Sequence, residues 1–137
     1  EALISLPPDE SELFINELFA RSYSERALVN SLFLTPSDAR TMQAGGMEIG
    51  SHSYAHRAFD TLDPEVQAAD ISASQRAIGE ITGKKPVLFS YPNGRFTQET
   101  LDILRQSGFQ HAATIQKGDL SSVRDPLLLP SYDTNHI

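Results

Sequence analysis

A chain of 137 residues with 39% hydrophobic content is long enough to bury a core and has the balance of an ordinary globular domain. No apolar run approaches membrane-spanning length, and a net charge of -7 with only 11 scattered Lys and Arg argues against nucleic acid or an anionic membrane surface as the main partner. Cysteine is absent, which removes disulfides, thiolate metal sites and thiol catalysis and leaves the redox compartment open. The chain opens at Glu1 with neither an initiator Met nor a leader pattern, and we read it as a piece of a longer protein.

Residues 9–32 are helical in pattern. Leu13, Phe14, Leu18, Ala27, Leu28 and Leu32 form an apolar stripe, assigned to the core, with a break near Ser22-Tyr23-Ser24. Asp9 follows two prolines and reads as a helix cap. Thr35-Pro36-Ser37-Asp38 supplies a cap, a first-turn Pro and an acid at the third position, predicting a short helix that ends at Gly45-Gly46. A strand is expected over 47–51. Asp63-Pro64-Glu65 opens a further helix with Val66, Ala69, Ala73, Ala77, Ile78 and Ile81 on one side, closed by Gly83 before Pro86. A strand over 87–90, a helix capped by Thr97 carrying Leu101 and Leu104 to Gly108, and a strand over 110–115 follow. Alternating helices and short strands predict an α/β fold with a mostly parallel sheet, and functional loops at the C-terminal ends of its strands.

Two histidines, His52 and His56, stand directly after the first of these strands. Neutral imidazole is a common metal ligand, and two rings four residues apart on one tight loop can reach one cation. Taken without context, H-x-x-x-H is more often a pair of ordinary polar loop residues. A catalytic zinc site takes three protein ligands and leaves a position for water, so a further carboxylate or His is needed. Tyr91-Pro92-Asn93-Gly94 is a turn that its own Pro, Asn and Gly explain. Ser53 is either a loop-positioning hydroxyl or a plain turn residue. His111, on an alternating strand, reads as structural, and His136, beside the chain end, as a surface residue.

The run Met47-Glu48-Ile49-Gly50-Ser51-His52-Ser53-Tyr54-Ala55-His56, the strand and turn Val87-Leu88-Phe89-Ser90-Tyr91-Pro92-Asn93-Gly94, and Ser107-Gly108-Phe109-Gln110-His111-Ala112-Ala113 occur in this order. Together they resemble the polysaccharide deacetylases that share the NodB homology domain, carbohydrate esterase family 4, over roughly residues 34–115. The resemblance implies a distorted (β/α) barrel. It is incomplete here, because the family's opening T-F-D-D-G motif, which supplies the catalytic base and the third metal ligand, has no Asp-Asp counterpart in this chain. On that basis residues 1–137 are expected to form one domain, the C-terminal portion of a deacetylase-like unit. It comprises a helical lead-in (1–33), a motif-bearing core (34–115) and an irregular tail with a short strand (116–137), and its open edges are to be completed by another segment or an oligomer.

The resemblance further implies His52 and His56 as ligands of a divalent metal, with zinc first and cobalt, nickel or iron as alternatives. It makes the backbone N–H of Asn93 an oxyanion donor, and Tyr91, Pro92, Asn93 and Gly94 a substrate-binding turn. The substrate it implies is an N-acetylated glycan, and the setting is the cell envelope, periplasm or exterior. The chain departs from the family pattern at Ser90, where an Arg is common, and at Asn93, where a Tyr is usual. It has no Trp for the later groove motif, and only His136 stands as a late counterpart of the family's general acid. Two readings follow: a metal-dependent hydrolase that removes N-acetyl groups, and a non-catalytic, degenerate module that binds glycan or serves as a scaffold.

Overall fold

The computed structural model describes residues 13, 15–18, 29 and 31–132, and the chain divides into two compact units, Glu1–Asp38 and Ala39–Ile137. In the first unit the described residues of the N-terminal stretch are helical as expected, yet Leu13, Leu18 and Leu32 are exposed within it. Periodicity marks which face of a helix is apolar, not whether a partner covers it. Phe14, Ala27, Leu28 and Asp9 lie outside the described residues.

Helix α1 (Pro36–Ala44) starts where the sequence places it. The Thr35 Oγ1 accepts from Asp38 N at 3.2 Å, and an Asp38 carboxylate oxygen accepts from Thr35 N at 2.8 Å. Two orphan donors of the first turn are thereby satisfied reciprocally. The Thr35 hydroxyl also donates to Asp38 Oδ2 at 2.6 Å, and this bond first, then the one from Thr35 N, holds the Asp38 carboxyl below its ordinary value.

Beyond α1 the chain forms a parallel layer. Strand β1 (Leu88–Ser90) pairs with β2 (His111–Ala113) in the register Leu88 to His111, Phe89 to Ala112 and Ser90 to Ala113. On one flank, Ser51 bridges Phe89 in parallel, donating from its N to Leu88 O at 2.8 Å and accepting from Ser90 N at 2.9 Å. On the other, Leu129 bridges Ala113 in parallel. The expected strand at 47–51 thus contracts to the single bridge at Ser51, and the tail strand to one at Leu129. Gly50 allows the approach to β1, since a Cβ there would sit 3.1 Å from both the Cβ and the carbonyl oxygen of Leu88.

Parallel neighbours need crossovers, and two helices supply them. Helix α2 (Pro64–Thr82) joins the Ser51 segment to β1, and helix α3 (Gln98–Gln106) joins β1 to β2. Gly83 ends α2 at φ 72°, its N–H returning to Gly79 O at 2.8 Å. Thr97 and Thr100 box the start of α3 through mutual backbone-to-hydroxyl bonds.

The four parallel segments and two helices make an α/β fold; among the described residues they do not close into a barrel. The core gathers Ile71 from α2, Leu101 and Leu104 from α3, Phe89 and Ala112 from the strands, and Phe59, Tyr91, Phe109 and Leu127 from the connecting segments. Phe89 is its hub, with ring centroids of Phe59, Tyr91 and Phe109 at 5.9, 5.5 and 5.2 Å. The buried face of α2 is Gln67, Ile71 and Ser74, whereas Val66 and Ala69 of the expected apolar side are exposed. No described helix is long and apolar enough to cross a membrane.

Candidate metal centre and adjoining turn

Because the segments run parallel, their C-terminal ends share one edge. His52 follows the Ser51 bridge and Tyr91-Pro92-Asn93-Gly94 follows β1, so both motifs lie at that edge. A direct bond joins them: the His52 Nδ1 lies 2.9 Å from Ser90 O. A carbonyl oxygen only accepts, so Nδ1 carries the proton and Nε2 of the neutral ring keeps its lone pair for an incoming acid or cation. The His52 and His56 ring centroids are 4.9 Å apart, with the rings at 63°. Both side chains are exposed.

The loop that carries them is bent by two non-glycine residues in the left-handed region, Ser53 at φ 69° and His56 at φ 54°. Such a conformation costs about 1–2 kcal/mol per residue. Ser53 offsets part of this by accepting from His56 N at 2.8 Å through its hydroxyl.

In the adjoining turn Asn93 is exposed and left-handed, at φ 56° and ψ 15°. The turn's own bonds run from Gly94 N to Tyr91 O at 2.9 Å and from Arg95 N to Pro92 O at 3.1 Å, so the Asn93 N–H takes no part in them. Tyr91 and Pro92 are buried, and the Tyr91 hydroxyl donates to Leu127 O at 2.8 Å, whereas Asn93 is exposed and Gly94 half-buried. Burial pushes the Tyr91 phenol well up, with the Asp125 carboxylate adding to it, so the hydroxyl stays a neutral donor.

His111 stands exposed at the N-terminal end of β2, away from the edge that carries His52 and Asn93. His136 lies outside the described residues. Among the described residues no group of three or more His, Asp and Glu side chains is placed to hold a metal ion.

The polysaccharide deacetylase family model matches residues 12–112 of this chain. The chain belongs to the polysaccharide deacetylase family. A putative polysaccharide deacetylase, YxkH of Bacillus subtilis strain 168, is 28% identical over 88 residues, which are 64% of this chain and 32% of that protein. The chain therefore spans about a third of the length of this curated relative. Among solved structures, the Streptococcus pyogenes deacetylase PplD, determined with acetate, superposes with a TM-score of 0.70 at 22% identity, over 77% of this chain and 48% of that one. A family pseudoenzyme from Bacillus anthracis superposes with a TM-score of 0.54 at 25% identity, over 56% and 27% of the two chains.

In this deacetylase-family chain the sequence left several supporting residues unmarked. Asp70 of α2 accepts from Tyr54 N at 2.8 Å and Ala55 N at 2.9 Å, one carboxylate oxygen to each. Ser74 and Ser51 hydroxyls meet at 2.8 Å in the interior. Gln67 Nε2 donates to Phe59 O and Leu62 O, both at 2.9 Å, while its Oε1 accepts from Thr100 Oγ1 at 2.7 Å. Arg95 Nε lies 2.9 Å from Asp60 Oδ2, tying the histidine loop to the residue after Gly94. Both members of that pair reach solvent, so it contributes about 0–1 kcal/mol. The available signal was the spacing of Gln67, Asp70 and Ser74, three and four residues apart and thus on one helix face.

Proposed function

We propose that His52 and His56 hold a divalent cation, zinc first among the candidates, in an enzyme that removes N-acetyl groups from a glycan. The observation that carries the reading is the bond from His52 Nδ1 to Ser90 O, which orients the ring and presents Nε2, an arrangement typical of metal-ligating histidine. The donor set fits. Two imidazoles bound at about 2 Å to one tetrahedral ion put their ring centroids about 5 Å apart, and these rings are separated by 4.9 Å. When bound, such a cation supplies Lewis acidity toward an amide carbonyl and a lower pKa for water.

The chain's own residues would do the rest. Asn93, held left-handed between buried Pro92 and tightly packed Gly94, offers an N–H that the turn does not consume, suited to an oxygen that gains negative charge during acyl transfer. The Ser90 carbonyl keeps the His52 ring from rotating. The third ligand and the catalytic base would come from a segment that also completes a distorted barrel around the open layer. With a net charge of -7, the chain meets no repulsion from a neutral or cationic glycan.

Zinc calorimetry on the chain, beside His52→Ala and His56→Ala, combined with acetate release from an N-acetylglucosamine oligomer, tests this. Zinc binding by this chain abolished by either substitution, together with zinc-dependent acetate release by a longer chain that restores the third ligand and the base, is the expected result. Binding without acetate release favours the non-catalytic glycan module, in keeping with the likeness to the family pseudoenzyme. Absence of histidine-dependent binding overturns the metal reading.

A further inference from the structure

The histidine loop is gripped from one side by a single helix. Gln67, Asp70 and Ser74 of α2 line one face, and each bonds a different part of residues 51–62: Gln67 the carbonyls of Phe59 and Leu62, Asp70 the amides of Tyr54 and Ala55, Ser74 the hydroxyl of Ser51. Ser51 directly precedes His52, and Tyr54 and Ala55 lie between the two histidines. The contacts therefore bracket His52 and reach the residue that precedes His56.

Of the three, Asp70 acts between the two rings. Its carboxylate takes two successive backbone N–H groups, one on each oxygen, at distances typical of charge-assisted bonds. It sits beside Ile71, which is fully buried in the core, so its position is fixed by the packing of α2. The loop it holds has left-handed Ser53 and His56 on either side of the captured amides. An isolated chain leaves that conformation readily, so an external tie is needed to keep the two rings at one spacing.

We propose that Asp70 is a positioning residue that fixes the separation of His52 and His56 by clamping the Tyr54 and Ala55 amides. The inference rests on the metal reading above. It makes Asp70 a determinant of cation affinity through the Tyr54 and Ala55 amides, and it assigns Asp70 to the site rather than to the general stability of the helix.

The test is a cobalt(II) titration followed by visible absorption on the chain and on its Asp70→Asn, Asp70→Ala and His52→Ala variants, with amide hydrogen exchange on the same proteins. Asn at 70 has the same shape but only one acceptor oxygen, and its NH2 opposes an amide N–H. Both Asp70 variants should lose affinity by roughly 10- to 100-fold, as disruption of an outer-shell partner does, and their cobalt bands should change shape. Exchange at Tyr54 and Ala55 should accelerate while core amides at Ile71 and Phe89 stay protected, which separates loss of the clamp from loss of the fold. Cobalt affinity within twofold of the unsubstituted chain in Asp70→Asn overturns the inference and leaves the metal reading standing. Absence of His52-dependent cobalt binding in the unsubstituted chain overturns the reading beneath it, and the inference with it.

Discussion

The loop at residues 51–62 and the turn at residues 91–94 leave neighbouring parallel segments at the same edge, and both contain left-handed non-glycine residues, yet they are held by opposite means. The loop is held from outside: its amides, carbonyls and a hydroxyl are satisfied by Asp70, Gln67 and Ser74, side chains of a helix that follows it in sequence. The turn is held largely from within, by two local backbone bonds, by burial of Tyr91 and Pro92 at its start, and by the close seat of Gly94 against Ile115. A site assembled from one externally braced and one locally fixed segment should fail in two separable ways.

The largest separation is expected from Gln67→Ala. It leaves the Thr100 hydroxyl and the carbonyls of Phe59 and Leu62 without their buried partner, and should cost about 3 kcal/mol in urea unfolding. Exchange should rise at residues 59–62 and stay low at residues 92–95, and equal loosening of both segments would contradict the contrast. Gly94→Ala should strike the turn instead. Its φ of 65° disfavours any side chain, and a Cβ there would lie 2.3 Å from Ile115 Cγ1. A loss of about 2 kcal/mol is expected, with the ring resonances of His52 and His56 little changed; a shift of those resonances as large as the one at Asn93 would join the two segments into one.

The smallest effect concerns the start of α1. The folded Asp38 carboxyl is depressed below its ordinary 3.8 by the Thr35 hydrogen bonds. The stability it gives to α1 is therefore present above the unfolded value and lost as pH falls through the lower folded one. Following the Thr35 amide by NMR during acidification should give a midpoint under 3.8, and a midpoint at or above that value would remove the cap bond from the account.

This contrast also explains what could be read from the sequence. The turn, the Thr35 and Thr97 caps and the Gly83 stop are local, and residues within four positions of each other carried enough information to place them. The α2 face was misassigned because Gln67 and Ser74 are buried for the sake of the loop, so the interior polar positions do not follow hydrophobic periodicity, and Val66 and Ala69 were given their place. The strand at 47–51 shrank to one bridge because sequence pattern shows that a segment can pair, not how many of its residues find a partner. His52 and His56 were visible by their spacing and family resemblance. Asp70 was not, since an acid on a helix reads as solvated until the loop folds back over it.

The central claim is that His52, through its Nε2, and His56 bind one cation, and histidine-selective nitrogen NMR with and without zinc tests it most directly. The account predicts that the Nδ1 of His52 remains protonated against Ser90 O throughout, while the His52 Nε2 resonance and one ring-nitrogen resonance of His56 move together and saturate at one zinc per chain. Resonances that do not respond to zinc, or a His52 ring protonated at Nε2 in the free chain, would contradict it.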